Sequence, residues 1–308
     1  EQSGDSSNPI ASNISLSAKF SSSNPVVIGV LAAQNTGTIK DVHVEAGIVL
    51  GWSDESNTNA KGIKVKNLTI GGIVGDNAGT ITLAEFTGAI SVNSSMQQAT
   101  SRNSISAENN LLRKVTVGGI AGINTSNISY SNITSATTLF ASCSDAVLGY
   151  DDFGNRKTTE SAVSYVGGIV GLNVVYTTEE GTANLVKKDG TISQCYTRIN
   201  TDNILTKQSA NDNGKYEIIS GNEYLQTKAY AGGIAAYGGI IEDCFNEKNV
   251  AAIARWFRTD NKVTTRIVKD GEDDSAHTFA YLMAEYKQEA HAGGISNGAV
   301  YNNTIVNY

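Results

Sequence analysis

The histidines are the first candidates for metal or acid–base chemistry, and the chain has three of them, His43, His277 and His291. None stands at the HxH or HxxxH spacing that would place two imidazoles on one face of a strand or helix. A zinc site would therefore need partners that are distant in the sequence. We interpret each histidine as an ordinary surface or strand residue, and we expect no metal and no cofactor.

Carboxylates cluster at three places, of which the segment Asp-Gly-Glu-Asp-Asp at 270–274 is the densest; the others are Asp151-Asp152 and Glu179-Glu180. Loop carboxylates and carbonyl oxygens are the ligands that calcium prefers, but 270–274 lacks the alternating spacing of a dedicated calcium loop. A solvated turn is the favoured interpretation. Whether this segment binds calcium is left open.

The chain contains no Walker loop and no dinucleotide fingerprint. The glycines of GGIVGDNAG (71–79) recur as a structural repeat and lack the βαβ context of a dinucleotide site. Polysaccharide lyases and glycosidases need paired carboxylates, or a cation with a basic residue, on one exposed face. No such pair recurs at equivalent positions. We therefore expect a protein that is not an enzyme, and a carbohydrate-active enzyme on a β-helix is the alternative.

Aromatic residues that could contact a ligand concentrate in the segment IARWFR (253–258), where Trp256 stands between Arg255 and Arg258. Aromatic rings stack against sugars or anchor protein partners, and arginine accompanies them at interfaces. We predict binding at Trp256, Arg255, Arg258 and Tyr224, with Phe257, Tyr230 and Tyr176 as further candidates. The alternative is that these rings pack against the rest of the chain.

The composition favours strands and tight turns. Apolar residues make up 40% of the 308 residues and charged residues 17%, while 31 glycines stand beside 2 prolines. Thr, Ser, Asn, Val and Ile are abundant, and these residues suit strands and turns. The net charge of −7 comes without the basic surface that neutralises phosphates, which excludes nucleic acid as a partner. No segment approaches the roughly 20 apolar residues of a membrane helix.

The elements that would position any site follow from an internal repeat. Gly-Gly-Ile recurs with its first glycine at 71, 118, 167, 232 and 293, and a degenerate copy, Ile-Gly-Val, begins at 28. A second signal follows each copy and ends at Ile39, Ile81, Ile128, Ile192, Ile241 and Val300. Three residues further on stand Val42, Ala84, Ser131, Cys195, Cys244 and Asn303. An offset of three breaks the alternation of a straight strand, so we expect two strands per unit and a bend after the second signal.

One strand-turn-strand unit cannot bury its own apolar face, whereas stacked copies form columns of like residues. The repeat therefore predicts an all-β fold, a parallel β-solenoid of about six coils with long inserted loops, in preference to a β-sandwich. Residues 26–308 would form this single domain. The polar segment 1–25 is assigned to a flexible leader and cap, of the kind that follows a removed signal or a lipid anchor, or that marks an arbitrary boundary.

Three residue types should mark the columns. Glycine at the paired positions fits a close backbone approach or a positive φ. Asn35, Asn77, Asn124 and Asn173 precede turns, where asparagine tolerates left-handed geometry and can hydrogen-bond along the stack. Cysteine occurs three times without CxxC spacing. Cys195 and Cys244 occupy equivalent repeat positions, so we expect them as neighbouring reduced thiols, because column side chains run parallel instead of converging.

The repeats resemble the GLUG repeat, in strings such as TIGGIVGDNAGTI (69–81), TVGGIAGINTSNI (116–128) and VGGIVGLN with DGTISQCY (166–173 and 189–196). Five copies are recognisable and cover about half of the chain. GLUG repeats occur in large exported bacterial proteins, among them streptococcal immunoglobulin A proteases, where they lie outside the catalytic domain. The resemblance implies a secreted or cell-surface bacterial protein. The shorter turns after Ile234 and Ile295, and the insertion between Gly168 and Ile192, depart from the family pattern.

The segments between repeats should be surface loops that carry any recognition, because loops tolerate variation and present side chains. They are 93–113, 142–161, 174–188, 200–229 and 246–290. In the last of them, the residues around Phe279 fit a short helix and a strand almost equally well. We expect a monomeric interaction, adhesion or scaffold module with a glycan or a host or bacterial surface protein as its partner.

Overall fold

The structure, a computed structural model, describes residues 10–11, 21–22, 25–51, 64–65, 67–93, 114–143, 147–150, 156–158, 162–178, 185–198, 218–223, 226–255, 287–297, 300–302 and 306–307. Every regular element in these ranges is a β-strand. The expectation of an all-β chain is therefore confirmed for the described part.

Four parallel sheets contain most strands. Sheet I consists of β3 (Val26–Gly29), β8 (Asn67–Gly71), β12 (Lys114–Gly118), β19 (Ala162–Gly167), β26 (Gln226–Gly232) and β31 (Lys287–Gly293). Sheet II consists of β4 (Ala32–Asn35), β9 (Val74–Asn77), β13 (Ala121–Asn124), β20 (Val170–Leu172) and β27 (Ala235–Tyr237). Sheet IV consists of β6 (Ile48–Gly51), β11 (Ala89–Asn93), β16 (Thr138–Ala141), β25 (Ile218–Glu223) and β30 (Val250–Arg255).

Sheet III has two segments in most repeats. It consists of β5 (Thr38–Glu45), β10 (Thr80–Thr87), β14 (Asn127–Ser129), β15 (Asn132–Ile133), β23 (Thr191–Ser193), β24 (Tyr196–Thr197), β28 (Ile240–Glu242), β29 (Phe245–Asn246), β32 (Val300–Asn302) and β33 (Val306–Asn307), and β1 (Ile10–Ala11) pairs with β5. Within each sheet the parallel neighbours follow chain order. Each of the first five repeats contributes to sheets I, II, III and IV in turn, and the described strands of the last repeat belong to sheets I and III. The chain is thus a set of stacked parallel strands.

The expectation of two strands per unit is too low, because the first five repeats also contribute strands to sheet II and sheet IV. Parts of the predicted loops are strands: 200–229 contains β25 and the start of β26, and 246–290 contains β30 and the start of β31. The polar stretches of these segments favour loops, and the alternation of apolar and polar residues within them is too short to indicate strands. The residues around Phe279, the acidic segment 270–274 and most of 93–113 lie outside the described residues.

Three smaller strand pairs complete the described elements. β17 (Val147–Tyr150) and β18 (Arg156–Thr158) form an antiparallel pair within 142–161, and β21 (Val174–Thr178) and β22 (Leu185–Asp189) form another within 174–188. β2 (Ser21–Ser22) pairs in parallel with β7 (Lys64–Val65). In the predicted leader and cap, 1–25, the structure thus describes the short strands β1 and β2 and residue 25.

The predicted column of isoleucines is confirmed. Ile39, Ile81, Ile128, Ile192 and Ile241 pair in register along sheet III. Backbone hydrogen bonds likewise join Ile73, Ile120, Ile169, Ile234 and Ile295 in order. In the last repeat the expectation is wrong by one residue, since Ile241 pairs with Tyr301 and not with Val300. Because the turn after Ile295 is shorter, the chain enters sheet III at a shifted position; Asn303 lies outside the described residues.

The predicted bend in sheet III is confirmed and has a clear backbone cause. Residues with φ between 49° and 57° precede the second inward position in five repeats: Asp41, Leu83, Tyr130, Gln194 and Asp243. This left-handed conformation is costly for residues other than glycine. It rotates the chain so that Ile81 and Ala84, three positions apart, are both buried. The offset of three in the sequence is therefore the signature of this single left-handed residue.

The paired glycines serve a close approach of neighbouring backbones. A Cβ on Gly168 would lie 2.0 Å from the Gly233 carbonyl oxygen of the next repeat. Backbone atoms cannot move aside as a flexible side chain can, so the contact excludes larger residues. Of the two explanations offered for these glycines, close approach applies here.

The asparagines form a continuous buried hydrogen-bond ladder. The Nδ2 of Asn35 donates to Asn77 Oδ1 at 2.7 Å, Asn77 donates to Asn124 at 2.8 Å, and Asn124 donates to Asn173 at 2.7 Å. The prediction of hydrogen bonding along the stack is confirmed. The suggested left-handed geometry is wrong, because none of these four asparagines has a positive φ. A complete ladder satisfies buried amides that would otherwise destabilise the fold.

The core is a column of aliphatic side chains with buried thiols at one edge. Ile70, Ile73 and Ile81 are fully buried, as are Ile120, Ile169 and Ile234 and also Ile128, Ile192 and Ile241 at the equivalent positions of later repeats. Cys195 and Cys244 are neighbours, since the Cys195 N–H donates to Cys244 Sγ at 3.4 Å, and none of the three cysteines forms a disulfide. The prediction of neighbouring reduced thiols is confirmed. Burial raises the pKa of the Cys195 thiol, which keeps it protonated and unreactive.

Candidate functional site

The predicted binding residues are only partly within the described ranges. Arg255 is the last residue of β30, where its backbone pairs with Glu223 of β25. Trp256, Arg258 and Tyr224 lie outside the described residues, as does Phe257. Binding at these four predicted residues therefore stays a prediction.

One column of sheet I changes character along the stack and creates a different candidate. The register aligns Val27, Thr69, Thr116, Tyr165, Tyr230 and His291 on successive strands. The small side chains of Val27, Thr69 and Thr116 face glycines of sheet II. From β19 onward the column is aromatic. Tyr165, Tyr230 and His291, with Tyr237 of sheet II and with Tyr176 and Lys187 of the hairpin β21–β22, are called the tyrosine patch. The hairpin is included because Lys187 interacts electrostatically with both Tyr176 and Tyr237.

The rings of the patch stack along the column at the spacing of paired strands. The centroids of Tyr165 and Tyr230 lie 5.0 Å apart with an interplanar angle of 10°, and those of Tyr230 and His291 lie 4.8 Å apart at 6°. Tyr237 of sheet II meets Tyr230 edge-on at 5.6 Å and 70°. Such arrangements match the preferred geometries of aromatic pairs. Aromatic residues at one register position point to the same side of the sheet, so their rings come within stacking distance on adjacent strands.

A lysine lies beside Tyr165, at the end of the aromatic column opposite His291. Lys114 of β12 places its Nζ 5.8 Å from the centre of the Tyr165 ring, within the range of a cation–π interaction. Burial lowers the pKa of this ammonium, because the partly desolvated site disfavours charge. The cation therefore lies over the ring with its hydration incomplete.

The hairpin formed by β21 and β22 adds the remaining members of the patch. Tyr176 pairs with Lys187 across the hairpin, and 54% of its side chain is exposed. Lys187 Nζ lies 2.8 Å from Asp189 Oδ1. The hydrogen bond to the Asp189 carboxylate, together with the charge of that carboxylate, raises the pKa of Lys187. The hairpin thus brings an exposed tyrosine and an ammonium to the sheet II side of the stacked rings.

Tyr165 is a hydrogen-bond donor and not a nucleophile. Burial, reinforced by the neighbouring Tyr230, Tyr237 and Cys143, raises the pKa of Tyr165 to about 12. A phenol with this pKa stays protonated at physiological pH. Tyr165 therefore presents a protonated hydroxyl that can donate a hydrogen bond.

No protein-family model matches the chain, and no curated protein or solved structure matches it either. Function must therefore be inferred from the side chains themselves. Of the patch, the sequence had singled out Tyr176 and Tyr230 as further candidates but missed Tyr165, Tyr237 and Lys187. The alternation in QTKAYAG (226–232), with Lys228 and Tyr230 on one face and alanines on the other, was a usable signal for the column.

Sheet III carries a second column of polar and aromatic residues. Glu85 accepts from Asn132 Nδ2 at 2.7 Å, and its other oxygen lies 2.6 Å from His43 Nδ1. Further along the same column, Tyr196 and Phe245 stack at 5.1 Å, and Arg198 lies 5.0 Å from the centre of the Tyr196 ring. The polar groups of this column are engaged with one another, so we interpret it as a structural ladder.

Among the described residues, no three or more His, Cys, Asp or Glu side chains are grouped so as to hold a metal ion. The part of the chain that the structure describes also contains no helix long and apolar enough to cross a membrane.

Proposed function

We propose that this chain is a secreted or cell-surface interaction module, an adhesin or scaffold, that binds its partner through the tyrosine patch. We further propose that the repeats wind as about six coils of a parallel β-solenoid. Support for the solenoid comes from the order of the strands, since each of the first five repeats contributes to sheets I, II, III and IV in the same order. Stacking of repeats in this way buries a continuous core.

The observation that carries the binding proposal is the composition and exposure of the tyrosine patch. Tyrosine supplies a large contact area at low conformational-entropy cost, and it carries a polar group for hydrogen bonds. Tyr165, Tyr230 and Tyr237 are half-buried and mutually packed, and Tyr176 is exposed beside them. A rigid group of rings next to an exposed one is the pattern of a preorganised binding surface.

The proposed location and partner rest on the repeats and on the insertions. The resemblance of the repeats to those of exported bacterial proteins supports a surface or secreted protein. We propose a glycan or a surface protein as the partner, a monomeric state, and no catalytic activity. Trp256, Arg255, Arg258 and Tyr224 are proposed as additional contacts on the later insertions, and Trp256→Ala tests this part in the assay below.

The test is a screen of host and microbial glycans that records both binding and product release. For any ligand found, Tyr230→Ala is expected to weaken binding by about tenfold or more, as for a central aromatic anchor. Phe245→Ala is the matched control, because Phe245 stacks on Tyr196 at 5.1 Å much as Tyr230 stacks on Tyr165 at 5.0 Å. The control is expected to change binding by less than about twofold.

Thermal unfolding of both variants separates loss of the site from loss of the fold. Equal effects of the two substitutions on binding would contradict the assignment of the patch. Release of cleaved sugar by the wild-type chain would favour the alternative, a carbohydrate-active enzyme.

A further inference from the structure

The last described strand of sheet I, β31, forms one edge of that sheet. It pairs in register with β26 over seven residues, and no other described strand pairs with it. The Gly293 carbonyl oxygen of β31 accepts the Gly233 N–H of the preceding repeat at 3.2 Å. Backbone groups of successive residues point to opposite edges of a strand, so those of Ala292 and Ala290 point away from β26. An edge of this kind is a template for a further strand.

The inward side chains of β31 are exposed at this edge. Ala290 and Ala292 continue the columns of Ala229 and Ala231 in the register. Ala229 and Ala231 are fully buried, whereas Ala290 and Ala292 are exposed. The apolar columns of sheet I therefore end at β31 without a cover over their last members. A strand added there would bury both alanines as β31 buries those of β26.

The opposite edge of sheet I is more protected. The inward residues of its edge strand β3 are covered, since Val26 is half-buried and Ile28 is buried. Pro25 directly precedes this strand and lacks a backbone donor. At the same end, β1 already pairs with β5 of sheet III. A second copy of the chain would have to offer this protected end to β31, so a separate extended segment is the better occupant.

The aromatic column of the tyrosine patch ends on the same strand. His291 of β31 stacks on Tyr230 at 4.8 Å and 6°, and its side chain is exposed. A ring at the next register position of an added strand would come within stacking distance of His291. The edge of β31 is therefore continuous with the tyrosine patch, and one partner can contact both.

We propose that the partner is a protein that adds an extended segment to β31 as a further parallel strand, with two small aliphatic residues facing inward and an aromatic residue between them. This inference rests on the tyrosine patch being the binding surface proposed above. The inward residues would continue the columns of Ala290 and Ala292, and the aromatic residue would continue that of Tyr230 and His291. In such strand addition, main-chain hydrogen bonds supply affinity and the alternate side chains supply specificity.

The experiment titrates the whole chain with the peptide QTKAYAG, the sequence of residues 226–232, which has the proposed alternation. Nuclear magnetic resonance follows the backbone amides. At saturation, exchange of the Ala290 and Ala292 amide hydrogens with solvent should slow by at least about fivefold, because added hydrogen bonds protect them. The peptide with Tyr230→Ala should bind about fivefold more weakly. A peptide of the same composition in scrambled order should bind at least about tenfold more weakly.

Two variants of the whole chain block the edge in different ways. Ala292→Pro removes a backbone donor that points away from β26, and Ala290→Lys places a charge at an inward position. Each is expected to weaken binding of QTKAYAG by about tenfold. Val49→Lys on β6 is the matched control for the lysine, because 65% of the Val49 side chain is exposed, and it should leave binding unchanged. Thermal unfolding checks the fold of each variant, and either blocking variant that folds is a sufficient test.

The outcomes distinguish this inference from the proposal on which it rests. Failure of QTKAYAG to bind, or equal binding by the wild type and a folded blocking variant, would overturn strand addition at β31. Self-association of the chain in sedimentation that Ala292→Pro abolishes would assign the edge to a second copy instead. In these cases a ligand whose binding still depends on Tyr230 would leave the patch in place. Binding that is independent of Tyr230 for every ligand, the peptide included, would overturn both.

Discussion

At the scale of single residues, a change of one side-chain type along a column converts a structural position into a surface feature. Thr69 and Thr116 are buried beside glycines of sheet II, whereas Tyr165 and Tyr230 at the next two positions are half-buried and stacked. The parallel register repeats each side-chain position at one strand spacing. A substitution in such a column therefore affects its neighbours above and below as much as its own site.

Tyr165 makes stability depend on alkaline pH. Folding raises the pKa of Tyr165 from its ordinary 10.0 to about 12, so its contribution to stability is complete below pH 10 and is lost as the pH rises towards 12. The loss should reach about 2 kcal/mol. Denaturant unfolding of Tyr165→Phe between pH 9 and 12 should therefore show a shallower decline than the wild type. Tyr130→Phe, which changes an exposed tyrosine, should decline like the wild type; identical curves for all three would contradict the assignment.

Gly168 tests the close approach of the repeats. Gly168→Val would place a Cβ 2.0 Å from the Gly233 carbonyl oxygen, and overpacking of this kind should lower the free energy of unfolding by about 1–3 kcal/mol. The control is Gly47→Val, because a Cβ at Gly47 meets no atom within 4 Å. Chemical denaturation measures both. An equal change in the two variants would show that the glycines serve chain flexibility and not packing.

At the scale of elements, the hairpin of β21 and β22 is an insertion into an otherwise regular turn. The wild-type chain reads Asn77-Ala78-Gly79-Thr80 in one repeat and Asn173, the hairpin, then Gly190-Thr191 in another. The Gly190 N–H donates to the Asn173 carbonyl oxygen at 2.9 Å, so the ends of the hairpin already meet. The hairpin can therefore be removed without stretching the chain.

Replacement of residues 174–189 by one alanine should preserve the fold and weaken ligand binding. The new turn would match that of 77–80, and the cost should be about 1–2 kcal/mol from the loss of the buried Val174 side chain. Tyr176 and Lys187 would be lost from the patch, so binding should fall by about tenfold or more. Thermal unfolding and the glycan assay measure the two effects. Unchanged binding would place recognition elsewhere.

The sequence indicates the strands of sheets I and III clearly but gives almost no signal for the strands of sheet IV. Repetition made the columns of Ile73 and Ile81 visible, because stacking demands like residues at equivalent positions. The strands of sheet IV share no string: they read IVLG, AISVN, TLFA, IISGNE and VAAIAR. They need only alternate apolar and polar residues, which many short segments do. The hairpin strands VVYTT and LVKKD are also short and lie in a polar segment, so the sequence predicts a loop there and not a hairpin.

The candidate site was only partly predictable from the sequence for a different physical reason. Tyr165 and Tyr230 are 65 residues apart in sequence and meet because of the register of β19 and β26. The positions of the repeats in the sequence are enough to align these two tyrosines. The position of Lys187 near Tyr237 depends on how the hairpin folds back, and no repeat in the sequence encodes that direction.

At the scale of the whole molecule, regular stacking explains why a few types of interaction are enough to stabilise the fold. The Asn35–Asn173 ladder, the isoleucine columns and the paired glycines each repeat one contact along the chain. Interactions of this type act between neighbouring repeats, so the stability of the stack is a sum over adjacent pairs. The proposed solenoid is therefore a frame on which insertions of different length can vary with little effect on the core.

The most direct test of the account measures the stacking itself, by dipolar electron paramagnetic resonance between spin labels on the outer face of sheet III. Lys40, Thr82, Ser129, Ser193, Glu242 and Asn302 are aligned in the register. Labels would be introduced at Lys40 paired with Ser193, Glu242 or Asn302, in a background with Cys143, Cys195 and Cys244 replaced by alanine. The residue at the equivalent repeat position to Cys195 is Ala84 in an earlier repeat, so alanine suits the column.

Stacked parallel repeats predict backbone separations of about 14, 19 and 24 Å for the three pairs, in steps of about 4.8 Å. The steps should be equal even though the sequence intervals between the labelled residues are unequal. Distances that fail to increase from one pair to the next, or that increase in proportion to the length of chain between the labels, would contradict the account.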